Sequence, residues 1–490
     1  MAFFLSLAMI MAMGLTAFAD GEPSTTPAKE ESAGYKLTLK GTSKGHTYEA
    51  YQIFTGDLST NADGKKVLSN VEWNTDIYTG TESAADVAKA LAAGTMTIEQ
   101  LVDNLELTKP TQTVESSKGS TEINGLAAGY YLVKDKNGSQ KDKSDAYTKF
   151  IVQVVGDTEA EIKSGVPTVE KKVKDTNDST GENSDWQDSA DADIGDDVQY
   201  QITGTMPDNI DDYTTYQYIF TDTMSEGLTY NNNANITIDG NDVTGHFTET
   251  TDGKTVVTWT CYNLKGIDGV KLTKDTKVVV TYSAKLNENA VIGSAGNPNT
   301  VNLTYSNNPN KGGDGETGKT PDDKNVVFTY KTVVNKVDQD KKSLAGAAFK
   351  LEKKLSDGSY KEVKSCTAGE ETTFEFTGLD DGNYRLTETT TPAGYNTITP
   401  VEFTISAKHD VTSDDPKLTE LTGEVTSGNA EFAHDTNTGS LTTDIENKKG
   451  SILPSTGGRG TTMIYIIGAV LVVMAGVVLA VRKKMSSKES

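Results

Sequence analysis

The sequence predicts a mainly β chain of tandem β-sandwiches, with a mixed α+β first domain and a transmembrane helix near the C-terminal end. Three observations carry this. From residue 166 to 450 the chain runs as short alternating apolar and polar segments parted by Asp, Asn, Gly and Thr, the pattern of half-buried sandwich strands. Helical periodicity is confined to SAADVAKALAAG and TIEQLVDNLEL, both before residue 110. Finally, Met463 to Val481 reads MIYIIGAVLVVMAGVVLAV, without a charged residue, and Arg482, Lys483 and Lys484 follow at once. About 20 helical residues cross a bilayer core of about 30 Å, and positive charge marks the cytoplasmic side. Everything before this helix is therefore expected outside the cell.

The opening FFLSLAMIMAMGLTAFA is a short apolar segment ending in Ala17-Phe18-Ala19, a small-x-small pattern suited to signal peptidase. Residues 1–19 are expected to be a signal peptide, with the mature chain beginning near Asp20. No Lys or Arg precedes the apolar core, so the true start is expected upstream of Met1. Turn-rich segments near 164–167 and 308–325 divide the exported part into domains at 30–165, 166–325 and 326–450, ahead of a terminal unit at 453–490 whose helix covers 463–481. In the first domain YKLTLK opens as a strand and FIVQVV (150–155) closes it. Ser83 and Thr97 can cap the two helices, and Gly94 can end the first.

The 490 residues carry a formal net charge of −24, which argues against nucleic acid as a partner and suits a solvent-exposed surface. Only Cys261 and Cys366 occur, too few for a disulfide framework in an exported chain. His46, His246, His409 and His434 show no ligand spacing, and no nucleophile elbow, phosphate loop or zinc signature is present. The expectation is a non-enzyme without cofactor or metal. The acidic stretch from Asp188 to Asp197 lacks the alternation and final glutamate of a calcium loop, so it is expected to be a solvated loop.

Side chains alternate between the faces of a strand. In PTVEKKV, Lys171 shares a face with Val169 and Val173. Asp222 follows Tyr216, Tyr218 and Phe220, and Asn307 follows Val301, Leu303 and Tyr305. One lysine, one acid and one asparagine thus point inward in the second domain. The third repeats the set: Glu388 lines up with Tyr384 and Leu386, and Asn447 with Leu441 and Ile445. Lys336 is less decided, because Val333 and Val337 lie on the other face. Burying unpaired charge is costly. In an apolar site the lysine tends to lose its proton and the acid to keep its own. A neutral amine is a nucleophile, and a protonated acid can polarise an asparagine carbonyl and shuttle protons as ammonia leaves. The product is a Lys–Asn isopeptide bond joining first and last strands, which would resist pulling and proteolysis in a chain without disulfides.

YRLTETTTPAGY (384–395), NKVDQDKKSLAGAAFKLEK and IENKKG resemble the E-box, first strand and last strand of collagen-adhesin B-type (CnaB-type) Ig-like domains. PTVEKKVKD, IGDDVQYQITGTMP, YIFTDTMSEGLTY and GNPNTVNLTYSNNP resemble the middle domain of sortase-assembled backbone pilins of Gram-positive bacteria. GLAAGYYLVKD resembles an E-box without its glutamate. In the first strand Lys36 and Lys40 oppose Tyr35, Leu37 and Leu39, so no isopeptide bond is expected in the first domain. Leu453-Pro454-Ser455-Thr456-Gly457, followed by the apolar helix and basic tail, resembles an LPxTG cell-wall sorting signal. The resemblance covers most of residues 165–460. It implies Lys171–Asn307 with Asp222 and Lys336–Asn447 with Glu388 as bond-forming sets, and a sortase that attacks the Thr456 carbonyl. It also implies an acceptor lysine near the first junction. The usual Tyr-Pro-Lys motif is missing there, and Lys163 is the aligned lysine.

The function this implies is the major shaft subunit of a covalently polymerised cell-wall pilus (fimbria), with a monomeric wall-anchored adhesin or accessory pilin as the alternative. The implied partners are sortase, neighbouring pilin subunits, peptidoglycan and host surface ligands. The precursor is expected to be held in the membrane and the product anchored to the wall outside the cell.

Overall fold

The computed structural model describes residues 34–61, 64–75, 77–140, 144–162, 165–313, 315–450 and 459–486. In the first strand, Tyr35–Thr42, Leu37 and Leu39 are fully buried, while Lys36 and Lys40 reach Glu122 and Glu159 outside. It pairs antiparallel with Gly119–Leu126 and parallel with Thr158–Glu161. The strand that ends this unit is thus Thr158–Glu161. The expected Lys149–Val154 lies instead at the edge of a second sheet, beside Gly129–Asp135, which in turn pairs with Thr47–Thr60. TEAE carries one buried apolar residue, Ala160, too little for alternation to reveal.

The two short helices obey their local signals. Ser83 Oγ accepts the Asp86 N–H at 3.1 Å to cap Ala84–Ala92, whose Ala84, Val87 and Leu91 pack inward, and Gly94 takes the left-handed φ of 68° just past its end. Thr97 and Gln100 cap Ile98–Val102 reciprocally, at 3.2 and 2.9 Å.

From Val169 to Phe328 two sheets face each other. In one, Val169–Lys174 is the edge strand beside Asp197–Thr205, which pairs with Lys277–Leu286. In the other, Tyr218–Met224 pairs with Asn297–Ser306, which pairs with Asp323–Phe328. Trp259, Tyr200, Tyr218, Phe220 and Tyr282 fill the space between them. The strand Asp323–Phe328 crosses the expected boundary at 325, because Val326 and Val327 pair with Ser189 and Ala190 of the short strand Ser189–Asp191. The stretch expected to be a solvated loop is therefore largely buried: Asp188, Ser189 and Asp191 are 6, 0 and 4% exposed.

The third group repeats the two-layer plan. Tyr330–Asp338 pairs parallel with Ser440–Asn447 and antiparallel with Thr373–Leu379. Opposite them lie Ala348–Lys354, Gly382–Thr390 and Val401–His409. Tyr330, Thr332, Val334 and Lys336 form the inward face, so Lys336 points into the core, although Val337 is also covered. Beyond it, the helix Arg459–Ser486 contains an apolar stretch, Ile464–Lys483, long enough to cross a membrane and wholly unburied by the rest of the chain.

Candidate functional site: two buried lysine–acid–asparagine sets

Lys171 is fully buried, and its Nζ donates to Asp222 Oδ1 and, at 2.6 Å, to the Tyr282 hydroxyl. Tyr282 donates to the other oxygen, Asp222 Oδ2, at 2.6 Å. The rings of Tyr200 and Tyr282 flank the amine, with centroids 5.2 and 5.1 Å away. Burial pushes the Lys171 pKa below its usual value against the upward pull of Asp222.

The asparagine in this network is Asn299. It is fully buried, its Nδ2 donates to the Tyr282 hydroxyl at 2.9 Å, and its Oδ1 has no partner among the described residues. Asn307 lies elsewhere. Asp222 stands opposite Val301, and Asn307 follows six positions later, roughly 20 Å along at about 3.3 Å per residue. There Asn307 Nδ2 donates to the carbonyls of Gln140 and Asp145, both at 3.1 Å, and its own carbonyl accepts the Tyr147 N–H at 2.7 Å. It ties the first domain to the second. Asn299 and Asn307 share the odd-numbered face with Val301, Leu303 and Tyr305, so alternation alone could not choose between them. Tyr282 and Tyr200 were missed for a related reason: a tyrosine on an inward face reads as core.

In the third domain Asn447 and Glu388 meet directly. Asn447 Nδ2 donates to Glu388 Oε2 at 3.0 Å and to the Asn396 carbonyl at 2.5 Å. Glu388 Oε2 also accepts from the Thr391 hydroxyl and the Ile398 N–H, both at 3.2 Å. Lys336 Nζ donates to the Ile445 carbonyl at 2.7 Å and the Val337 carbonyl at 3.0 Å. Ile445 is its parallel-strand neighbour, and Asn447 follows two positions later on the same inward face. Burial lowers the Lys336 pKa to about 8, against the opposing charge of Glu388. Glu388 Oε1 and Asn447 Oδ1 have no partner among the described residues.

The first domain holds a buried lysine too. Lys134 Nζ lies 3.4 Å from Glu49 and donates to Asn137 Oδ1 at 3.3 Å. Asn137 is only three residues away, so a bond between them would join no separate strands. Lys163 and residues 453–457 (Leu453, Pro454, Ser455, Thr456 and Gly457) lie outside the described residues, as does the leader at 1–19.

Residues 194–309 match the family described as Gram-positive pilin backbone subunit 2, Cna-B-like domain, and residues 331–417 match a prealbumin-like fold domain. The chain thus carries the Cna-B-like and prealbumin-like domains of a Gram-positive backbone pilin. It is 25% identical over 535 residues to the trypsin-resistant surface T6 protein of Streptococcus pyogenes serotype M6, spanning 93% of the pilin and 96% of that relative. The solved T6 backbone pilin, described as modular and three-domain, is similar in fold: TM-score 0.53, 19% identity, 85% of this chain and 98% of that one. The major pilin SpaD of Corynebacterium diphtheriae gives a TM-score of 0.48 at 20% identity, over 85 and 98% of the two chains. The pilin is thus a surface structural protein and not an enzyme, of a family whose members polymerise with one another. Its C-terminal apolar helix suits a precursor held for wall anchoring.

Proposed function

We propose that this pilin is the major shaft subunit of a sortase-assembled pilus, hardened by self-made Lys–Asn bonds. The observation that carries the reading is the near end-to-end correspondence with the T6 protein, 93% of this chain against 96% of that one. The two buried lysine–acid–asparagine sets supply the chemistry. Burial favours the neutral amine. Nζ attacks the asparagine Cγ, and the acid takes a proton from Nζ and passes one to the departing Nδ2. Ammonia leaves as the amide forms, and the acid is regenerated. The pairs are Lys336–Asn447 with Glu388, and Lys171–Asn299 with Asp222. Asn299 replaces the expected Asn307 because it shares the Tyr282 hydroxyl with Lys171. Trypsin resistance belongs to the relative by name, and cross-linked sandwiches would confer it here.

Sortase then cleaves after Thr456 and passes the acyl group to Lys163 of a neighbouring subunit, or to peptidoglycan at the base. One lysine and one threonine per subunit make a heterologous contact that never closes, and such contacts build filaments. The test is a cell-wall extract on a denaturing gel. A ladder is expected, collapsing in Lys163→Ala to a monomer that stays on the wall, whereas Thr456→Ala should leave the protein off the wall. A single monomer band from the unaltered chain would assign it to the accessory or adhesin class. A ladder that survives Lys163→Ala, with cross-linked peptides at Lys172 or Lys174, would move the acceptor.

A further inference from the structure

Where the second domain meets the third, carboxylates outnumber their cations. Lys353, 1% exposed, bonds Asp193 at 2.8 Å and Asp380 Oδ2 at 3.0 Å. His409 lies between Asp175, at 3.7 Å, and Asp191, at 4.0 Å. Asp191, Asp380 and Asp381 nevertheless each present an oxygen within 4.8 Å of the others. Asp191 and Asp380 are 4 and 0% exposed, and Asp191 Oδ2 and Asp380 Oδ1 have no hydrogen-bond partner among the described residues. Carboxylates of opposing domains thus crowd one spot, where the Tyr330 hydroxyl faces Asp191 and Lys353 bonds only the Oδ2 side of Asp380. Oxygens so placed draw in protons, ordered water or a cation.

The surrounding frame is fixed. The Asp380 N–H donates to Asp193 at 2.9 Å, and Ile194 N–H donates to the Gly378 carbonyl at 3.0 Å. Gly378 has a φ of 75°, and a Cβ there would sit 2.5 Å from Ile194 Cδ1. Backbone therefore holds the carboxylates together without help from their charges, which oppose the contact.

We propose that Asp191, Asp380 and Asp381 form a calcium site that joins the second domain to the third. All donors are carboxylate oxygens, the set a hard cation takes, and their arrangement on one strand end and one turn suits the flexible coordination of calcium better than the strict octahedron of magnesium. The cell exterior supplies calcium at concentrations matching the weak sites of extracellular modules, about 0.1–1 mM. A cation here makes the interdomain contact depend on calcium, in a junction that carries tension if the chain is pulled.

The test uses the full chain purified in detergent and stripped with EDTA. Titration with calcium chloride to about 5 mM should show one site per chain, and calcium should raise the thermal midpoint by a few degrees, roughly 2–5 °C. Magnesium at equal concentration should do less. Asp380→Asn should abolish binding. Because that residue is enclosed, half-buried Asp381→Asn provides a gentler variant, expected to weaken binding about tenfold and to keep the melting curve in EDTA. No calcium binding by the unaltered chain, with identical melting in calcium and EDTA, would overturn the site and leave the carboxylates holding protons. Binding undiminished in Asp381→Asn would overturn it as well.

Discussion

Lys171 and Asn299 donate to the same oxygen, the hydroxyl of Tyr282, at 2.6 and 2.9 Å. They come from opposite sheets, so a bond between them would staple the two layers together. The intact mature chain should weigh two ammonia molecules less than its sequence. Asn299→Ala should restore one of them and Asn307→Ala neither. Peptide mapping should recover Lys171 joined to Asn299, and a branched peptide at Asn307 would refute the assignment.

Tyr282 positions both reactants and caps Asp222, so Tyr282→Phe tests the hydroxyl with little change of shape. The cross-link in the second domain should form slowly, seen by mass as a declining fraction of chain that retains its ammonia. Asp222→Ala should stop it. In that variant the fully buried Lys171 amine loses its Asp222 partner as well as the cross-link, and the lost hydrogen bond alone should cost the second domain about 1–3 kcal/mol by denaturant unfolding.

In the third domain the reactive form is the neutral Lys336 amine, whose pKa is lowered to about 8. Below that pH the amine is mostly protonated and above it mostly free. Chain made by cell-free translation should therefore cross-link roughly tenfold more slowly per pH unit below about 8, levelling off above it. Glu388→Ala should abolish that ammonia loss at every pH. A flat rate from pH 6 to 9 would exclude a titrating amine as the nucleophile.

Asn307 has a different task. Its side chain holds the Gln140 and Asp145 carbonyls, and Tyr305 bonds the Ser144 carbonyl alongside. Asn307→Ala leaves those carbonyls unpaired at a cost of about 1–3 kcal/mol. Limited proteolysis should then cut faster near residues 136–148, with no change in intact mass beyond the substitution.

Much of this was legible from residue types and spacing alone. The apolar helix, the capped short helices and the strand alternation are local, set by three or four neighbouring residues. So is the inward direction of Lys171, Asp222, Glu388 and Asn447. Lys336 was harder to read because the covered Val337 blurs the alternation next to it. The acidic stretch from Asp188 to Asp197 looked like solvated loop because polarity is all a sequence displays. The third domain covers it, through Asp380, His409 and Lys353.

Period-two alternation repeats identically along a strand, so it identifies a face and leaves position along the strand open. That is why the face shared by Asn299 and Asn307 was readable and the choice between them was not. The choice rests on pairing register: Asp222 opposite Val301, and Met224 opposite Asn299. Register is a long-range property, decided by how two sheets with their own turns and bulges come to pack. Only in the assembled sandwich do Tyr282, Lys171 and Asn299, from three separate strands, converge on one oxygen.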